Sequence, residues 1–118
     1  MNVFFDIQGT LVGAGAPRPR AREAFLEITG QGHDIYLWSS AGGSYAARAA
    51  EYLGVEDLVH ACSGKEAPLV AVDFTVDDQP GLAGHHGGYQ IPPFRGDPGD
   101  RELLRVAESL RDHTTREG

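Results

Sequence analysis

Cysteine is nearly absent. Cys62 stands alone among 118 residues, which excludes an intrachain disulfide and favours a reducing compartment. No apolar run approaches the roughly 20 residues needed to span a bilayer. The one apolar stretch near the N-terminus is interrupted by Asp6 and has no basic segment before it, so a secretory signal is not expected there. Positive charge is scarce as well: ten Lys and Arg face seventeen Asp and Glu, for a net charge of −7. That balance excludes a general nucleic-acid surface, which needs a basic footprint, and works against binding to anionic membranes. A nucleotide P-loop and an intact G-x-G-x-x-G fingerprint are both missing, as are internal repeats and low-complexity segments. The expectation left is a cytoplasmic globular protein. Its 41% hydrophobic content is enough for one core in one domain.

Strand-like and helix-like segments alternate along the chain. Val3–Phe5 is a short apolar strand that ends at Asp6. Arg18–Thr29 places Ala21, Ala24, Phe25 and Ile28 at helical spacing, with Gly30 and Gly32 to stop it. Ile35–Trp38 is a second strand, followed by Ser39-Ser40. Ser44–Leu53 predicts a helix with Ala46, Ala49, Ala50 and Leu53 on one face and Gly54 beyond its end. Leu58–Ala61 and Phe74–Val76 read as a third and fourth strand, the latter ending at Asp77-Asp78, and Tyr89–Ile91 as a fifth. The last helix is expected over Asp100–Leu110, striped by Leu103, Val106, Ala107 and Leu110, with Asp97-Pro98 as N-cap and first-turn pair. The expected fold is α/β, a Rossmann-like parallel sheet of about five strands with helices on both faces and no cap domain. Residues 1–113 form its single core domain, and 114–118 a polar, frayed tail.

In a parallel sheet the carboxyl ends of the strands converge on the edge where ligands bind. Asp6, Ser39, Ser40, Asp77 and Asp78 all sit at such ends, and Lys65 lies in the connection before the fourth strand. Carboxylates, a hydroxyl and an ammonium together suit a hard cation and a phosphate. An acid that ends a buried strand is costly without a partner, which favours a functional Asp6. Lys65, Ser39 and Ser40 taken singly read as a surface lysine and helix caps. His85-His86, flanked by glycines, read as solvated. Arg18, Arg20 and Arg22 could steer an anionic substrate but fit a solvated helix start better. Cys62 reads as packing.

Four motifs occur in order over residues 3–78: Asp6-Ile7-Gln8-Gly9-Thr10-Leu11, the strand Ile35-Tyr36-Leu37-Trp38-Ser39, Ser63-Gly64-Lys65, and Phe74-Thr75-Val76-Asp77-Asp78. Together they resemble the haloacid dehalogenase (HAD) superfamily. The resemblance implies that Asp6 is a nucleophile forming an aspartyl-phosphate. It implies that Asp6, the backbone carbonyl of Gln8 and Asp78 bind Mg²⁺, with Asp77 acting through water. Ser39 or Ser40 and Lys65 would bind phosphate. The gaps at residues 12–17 and 62–72 are too short for a cap domain, so the resemblance is to the capless subclass. Its open site suits a macromolecular or extended phosphorylated substrate, or a small one enclosed by a neighbouring subunit in a homo-oligomer.

Gln8 departs from the family's pattern, which has an Asp there to protonate the leaving group. Without a titratable proton, Gln8 forgoes general acid–base catalysis, a loss of about 10²–10⁴ in rate. Three readings follow: a phosphatase restricted to good leaving groups such as acyl or aryl phosphates; an enzyme recruiting His85, His86 or its substrate as acid and base; or a domain that binds a phosphorylated ligand or partner without turnover. Dehalogenase chemistry fits less well, because Lys65 and the paired acids suit metal-assisted phosphate chemistry.

Overall fold

The computed structural model describes residues 1–66, 70–79 and 88–117. Its centre is a parallel sheet of five strands, β1 (Asn2–Phe5), β4 (Asp34–Ser39), β5 (Val59–Gly64), β6 (Phe74–Asp77) and β7 (Gly88–Gln90), in the order β5-β4-β1-β6-β7. The first strand lies in the middle and the chain winds outward on either side. This is a Rossmann-like α/β fold without a cap. Three helices are described, α1 (Ala21–Gly30), α2 (Gly43–Leu53) and α3, which spans Glu102–Glu117. None of the described helices is long and apolar enough to cross a membrane.

The two faces of the sheet follow from strand alternation. Val3 and Phe5 of β1 are in register with Ile35 and Leu37 of β4 and with Phe74 and Val76 of β6. This row is buried against the helical stripes read from the sequence: Ala21, Ala24, Phe25 and Ile28 of α1, Ala46, Ala49 and Ala50 of α2, and Leu103, Val106, Ala107 and Leu110 of α3. Phe5 meets Phe25 with ring centroids 4.8 Å apart. Phe4, Tyr36 and Trp38 point to the opposite face and form a small aromatic cluster of their own. The described helices share the face of Phe5. All three expected helices are thus on one face, and the expectation of helices on both is not met among the described residues.

The structure moves several boundaries. The helix expected from Arg18 starts at Ala21, because Pro19 holds Arg18 out of the helical region and the Arg18 N–H donates to the Leu11 carbonyl at 2.8 Å. Residues 12–17, read as a bare connection, form a hairpin of β2 (Val12–Gly13) and β3 (Ala16–Pro17). Its two turn residues, Ala14 and Gly15, have φ of 52° and 73°, the pairing that twists with the strands. Asp97-Pro98 does not cap the last helix. Asp97 instead folds a turn closed by Asp100 N–H to Asp97 O at 3.1 Å, and Asp100 Oδ1 accepts the N–H of Glu102, the first residue of α3. That helix continues to Glu117, past the point where the sequence read as a frayed tail.

Candidate active site

β1 delivers Asp6 to the carboxyl edge. Its N–H donates to the Val76 carbonyl at 3.0 Å, one step beyond the last β1–β6 pair, so the carboxylate leaves the sheet beside the end of β6. Asp77 is the last residue of β6 and Asp78 follows it. On the other side Ser39 ends β4 in register with Gly64 of β5, and Lys65 comes next. The strand ends thus bring together residues far apart in sequence.

Lys65 is the only lysine in the chain, and it bridges two acids. Its Nζ lies 3.0 Å from Asp6 Oδ1 and 3.2 Å from Asp77 Oδ2, above the Trp38 ring at 5.9 Å from its centroid. Asp77 is 1% exposed, and its second oxygen accepts the Gln79 N–H at 2.8 Å. Asp78 Oδ1 is shielded from solvent and has no hydrogen-bond partner among the described residues. Burial pushes the Asp6 carboxyl above its ordinary value; the Lys65 ammonium opposes that rise and the Asp77 charge adds to it. Burial works against the Lys65 ammonium too, but Asp6 and Asp77 outweigh it and leave Lys65 above its ordinary value. One ammonium therefore serves two carboxylates and leaves a third, Asp78, with an unpartnered oxygen.

That surplus of negative charge is the chemical requirement of a cation site. Asp6, Asp77 and Asp78 each bring a carboxylate oxygen within 4.8 Å of the others, the one such group among the described residues. Opposite ligands of Mg²⁺ are only about 4.2 Å apart, and the ion keeps several waters. The three acids fit an ion held by Asp6 and Asp78 and reached through water by Asp77, whose oxygens are already engaged.

Gly9 makes this arrangement sterically feasible. Its φ is +83°, and a Cβ there would lie 2.3 Å from Asp78 Oδ2. Gly9 is thus a close-approach position. Thr10 is fully buried and does not line the cavity.

A cavity of about 430 Å³ opens over these groups, lined by Asp6, Gln8, Ser39, Ser40, Lys65 and Asp78, with Tyr45 at its side. Of the described residues that the resemblance implies for catalysis, metal or phosphate binding, all but the buried Asp77 line this one space. Ser39 is buried, and its Oγ accepts the Ala41 N–H at 3.0 Å in the turn before α2. Ser40 is exposed. The Gln8 side chain donates from Nε2 to the Tyr45 hydroxyl at 2.5 Å. A second depression of about 450 Å³ lies at the amino edge, between Phe74 and α3, and is lined by the mixed charges of Arg105, Glu108 and Asp112. It gathers no like-charged cluster.

The three arginines divide: Arg20 and Arg22 are exposed at the start of α1, as a solvated helix start requires, and Arg18 is not. None lines the cavity. Arg20 pairs with Glu23, and Arg22 forks onto Asp57 at 2.8 Å. Arg18 is no solvated residue at all. Its side chain is 0% exposed, forks onto Asp100 at 3.0 and 2.9 Å, and donates to the carbonyls of Gly9 and Thr10 at 3.4 and 3.1 Å. The loop that follows Asp6 is thereby clamped from below. Nothing in the spacing marks Arg18 as buried; only the pairing with Asp100, 82 residues away, does so. Tyr45 was missed as well, since the helical pattern there was dominated by alanines. His85 and His86 lie outside the described residues. Cys62 packs partly buried against the core, and burial pushes its thiol above the ordinary value.

Comparison of the chain with protein-family models and with curated proteins finds no match.

Proposed function

We propose that this chain is a capless HAD-like, Mg²⁺-dependent phosphoryl hydrolase acting through Asp6. The observation that carries the reading is the unequal charge count at the sheet edge, where among the described residues Lys65 is the one cation beside Asp6, Asp77 and Asp78, under an open cavity. A divalent ion held by Asp6, Asp78 and the Gln8 carbonyl would neutralise phosphoryl charge. An Asp6 carboxylate oxygen attacks phosphorus, the ester P–O bond breaks, and the leaving group takes the electron pair. Water then hydrolyses the aspartyl-phosphate, returning Asp6 and releasing phosphate. Ser39 and the turn ahead of α2 offer the phosphate a hydroxyl and backbone N–H groups. Lys65 holds Asp6 in place and screens its approach to an anion.

Gln8 supplies no proton, and its amide is engaged with Tyr45. This contact favours the second reading, a domain that binds a phosphorylated ligand or partner without turnover. The deciding experiment is Mg²⁺-dependent hydrolysis of an aryl phosphate and a panel of phosphate esters by wild type and Gln8→Asp, with Asp6→Asn as blank. Turnover by wild type above the blank is the expected result. Activity in Gln8→Asp alone would favour the binding reading, and failure of both, with no Mg²⁺ binding, would sink the assignment.

A further inference from the structure

A second, smaller groove adjoins the Asp6 cavity. It holds about 190 Å³ and is lined by Val12, Tyr45, Arg48, Ala49 and Tyr52. Four of these occupy positions i, i+3, i+4 and i+7 of α2, so they form one stripe along the helix, facing Val12 of the β2–β3 hairpin. This stripe runs alongside the buried alanine stripe and shares Ala49 with it. Tyr45 belongs to both spaces, and its hydroxyl holds Gln8 at the boundary between them. Tyr52 is 56% exposed, a large aromatic left in solvent at the groove's far end. Arg48 is exposed and has no ion pair among the described residues, although the chain carries a net charge of −7.

From this continuity we infer that the groove is the leaving-group subsite, and that it takes an aryl phosphate carrying a second anionic group on its ring. The inference rests on the hydrolase reading and deepens it. Two independent features agree on the class. The first is chemical: Gln8 has no proton to give, so the leaving group must depart as an anion. A phenol, with a pKa of about 10, does this far more readily than an alcohol, whose acidity is close to the 15.7 or so of water. In the transfer, Asp6 oxygen bonds to phosphorus, the P–O(aryl) bond breaks, and its electron pair leaves on the aryl oxide with no proton taken from the protein. Water then adds to the acyl phosphate, giving inorganic phosphate and the free carboxylate. The second feature is geometric. The groove is walled by aromatic and aliphatic side chains, and its volume exceeds the roughly 150 Å³ of a cavity that accommodates benzene. Tyr45 and Tyr52 offer ring contacts, and Arg48 offers a planar donor fork for a carboxylate or phosphate.

The test uses non-hydrolysable probes, so binding is read whether or not turnover occurs. Butylphosphonate, benzylphosphonate and 4-carboxybenzylphosphonate are titrated calorimetrically into the full chain with Mg²⁺, for wild type, Arg48→Ala and Tyr52→Ala. Both side chains are exposed, so neither change threatens the core. The expected order of affinity is carboxybenzyl, benzyl, butyl, with the first about tenfold or more tighter than the last. Arg48→Ala should erase the gain from the carboxylate, and Tyr52→Ala the gain from the ring. Equal affinities, or a preference that survives both substitutions, overturns the groove assignment. If aryl phosphates are still turned over through Asp6 in that case, the hydrolase reading stands without it. The expected ranking without Asp6-dependent turnover keeps the groove and removes the hydrolase. No binding of any phosphonate removes both.

Discussion

Two charged clusters flank the loop that follows Asp6, and they are built on opposite principles. Below the loop, Arg18 meets Asp100 in a two-point fork and spends its remaining donor on the carbonyls of Gly9 and Thr10. One cation faces one anion, and the geometry is closed. Above the loop, Lys65 is shared between Asp6 and Asp77, and Asp78 Oδ1 has no partner among the described residues. A balanced buried pair can hold structure, because removing either partner strands a charge. An unbalanced one is a standing cost in the folded state, and strained or unsatisfied groups of this kind gather at functional sites. The contrast separates the two without reference to any relative: the lower cluster fixes the loop, and the upper one carries the surplus charge on which the proposed cation and phosphate sites rest.

The comparison breaks most visibly at Arg18. Arg18→Ala strands Asp100 and frees the loop carbonyls, and should cost about 3 kcal/mol or more, lowering Tm by roughly 10 °C in thermal unfolding. Mg²⁺ should not restore it. Lys65→Met should cost less, about 1–2 kcal/mol in metal-free buffer, because Asp6 can protonate. Here Mg²⁺ should raise Tm by more than it does in wild type. An equal Mg²⁺ response in the two variants would remove the distinction between the clusters.

Gly9→Ala sharpens the contrast by striking the upper cluster through the backbone. The added Cβ must displace the Asp78 carboxylate and must sit at positive φ. Mg²⁺ affinity by titration should fall about tenfold, with a stability loss of about 1 kcal/mol. Unchanged affinity would show that Asp78 takes no part in holding the ion.

The smallest effect concerns pH. Burial would raise the Asp100 carboxyl, but the Arg18 fork outweighs it and holds the group below its ordinary value. For a depressed acid the stabilisation is in place above the unfolded value near about 4 and is lost as pH falls through the lower, folded one. The difference in urea midpoint between wild type and Asp100→Asn should therefore be constant above about pH 5 and shrink below about pH 4. A gap that widens in acid would contradict the pairing.

Much of the architecture was legible in the chain because local periodicity is a local property. The stripes Ala21-Ala24-Phe25-Ile28 and Leu103-Val106-Ala107-Leu110 were read from spacing alone, and both are buried. Acids and serines at strand ends could be placed on one edge because parallel strands leave no other arrangement. What failed were the positions decided by distant partners. The hairpin at residues 12–17 needed Ala14 to accept positive φ, which no propensity suggests. Asp97 was read as the cap of the last helix and Asp100 as its first residue, and only the turn between them gives the capping role to Asp100.

The sequence by itself determined which chemistry the protein can hold: a strand-terminal Asp6, a single lysine, paired acids at 77 and 78, and a glutamine without a proton to give. These are properties of residue type and order. Only the tertiary structure decided how that chemistry is distributed. Lys65 is shared between two carboxylates, Asp78 leans into the space that Gly9 leaves, Arg18 is drawn under the loop by an acid near the other end of the chain, and Tyr45 joins the cavity to a groove. The physical reason is range. Backbone periodicity is fixed by neighbours in sequence, whereas the balance of buried charge depends on which side chains the fold brings within a few ångströms.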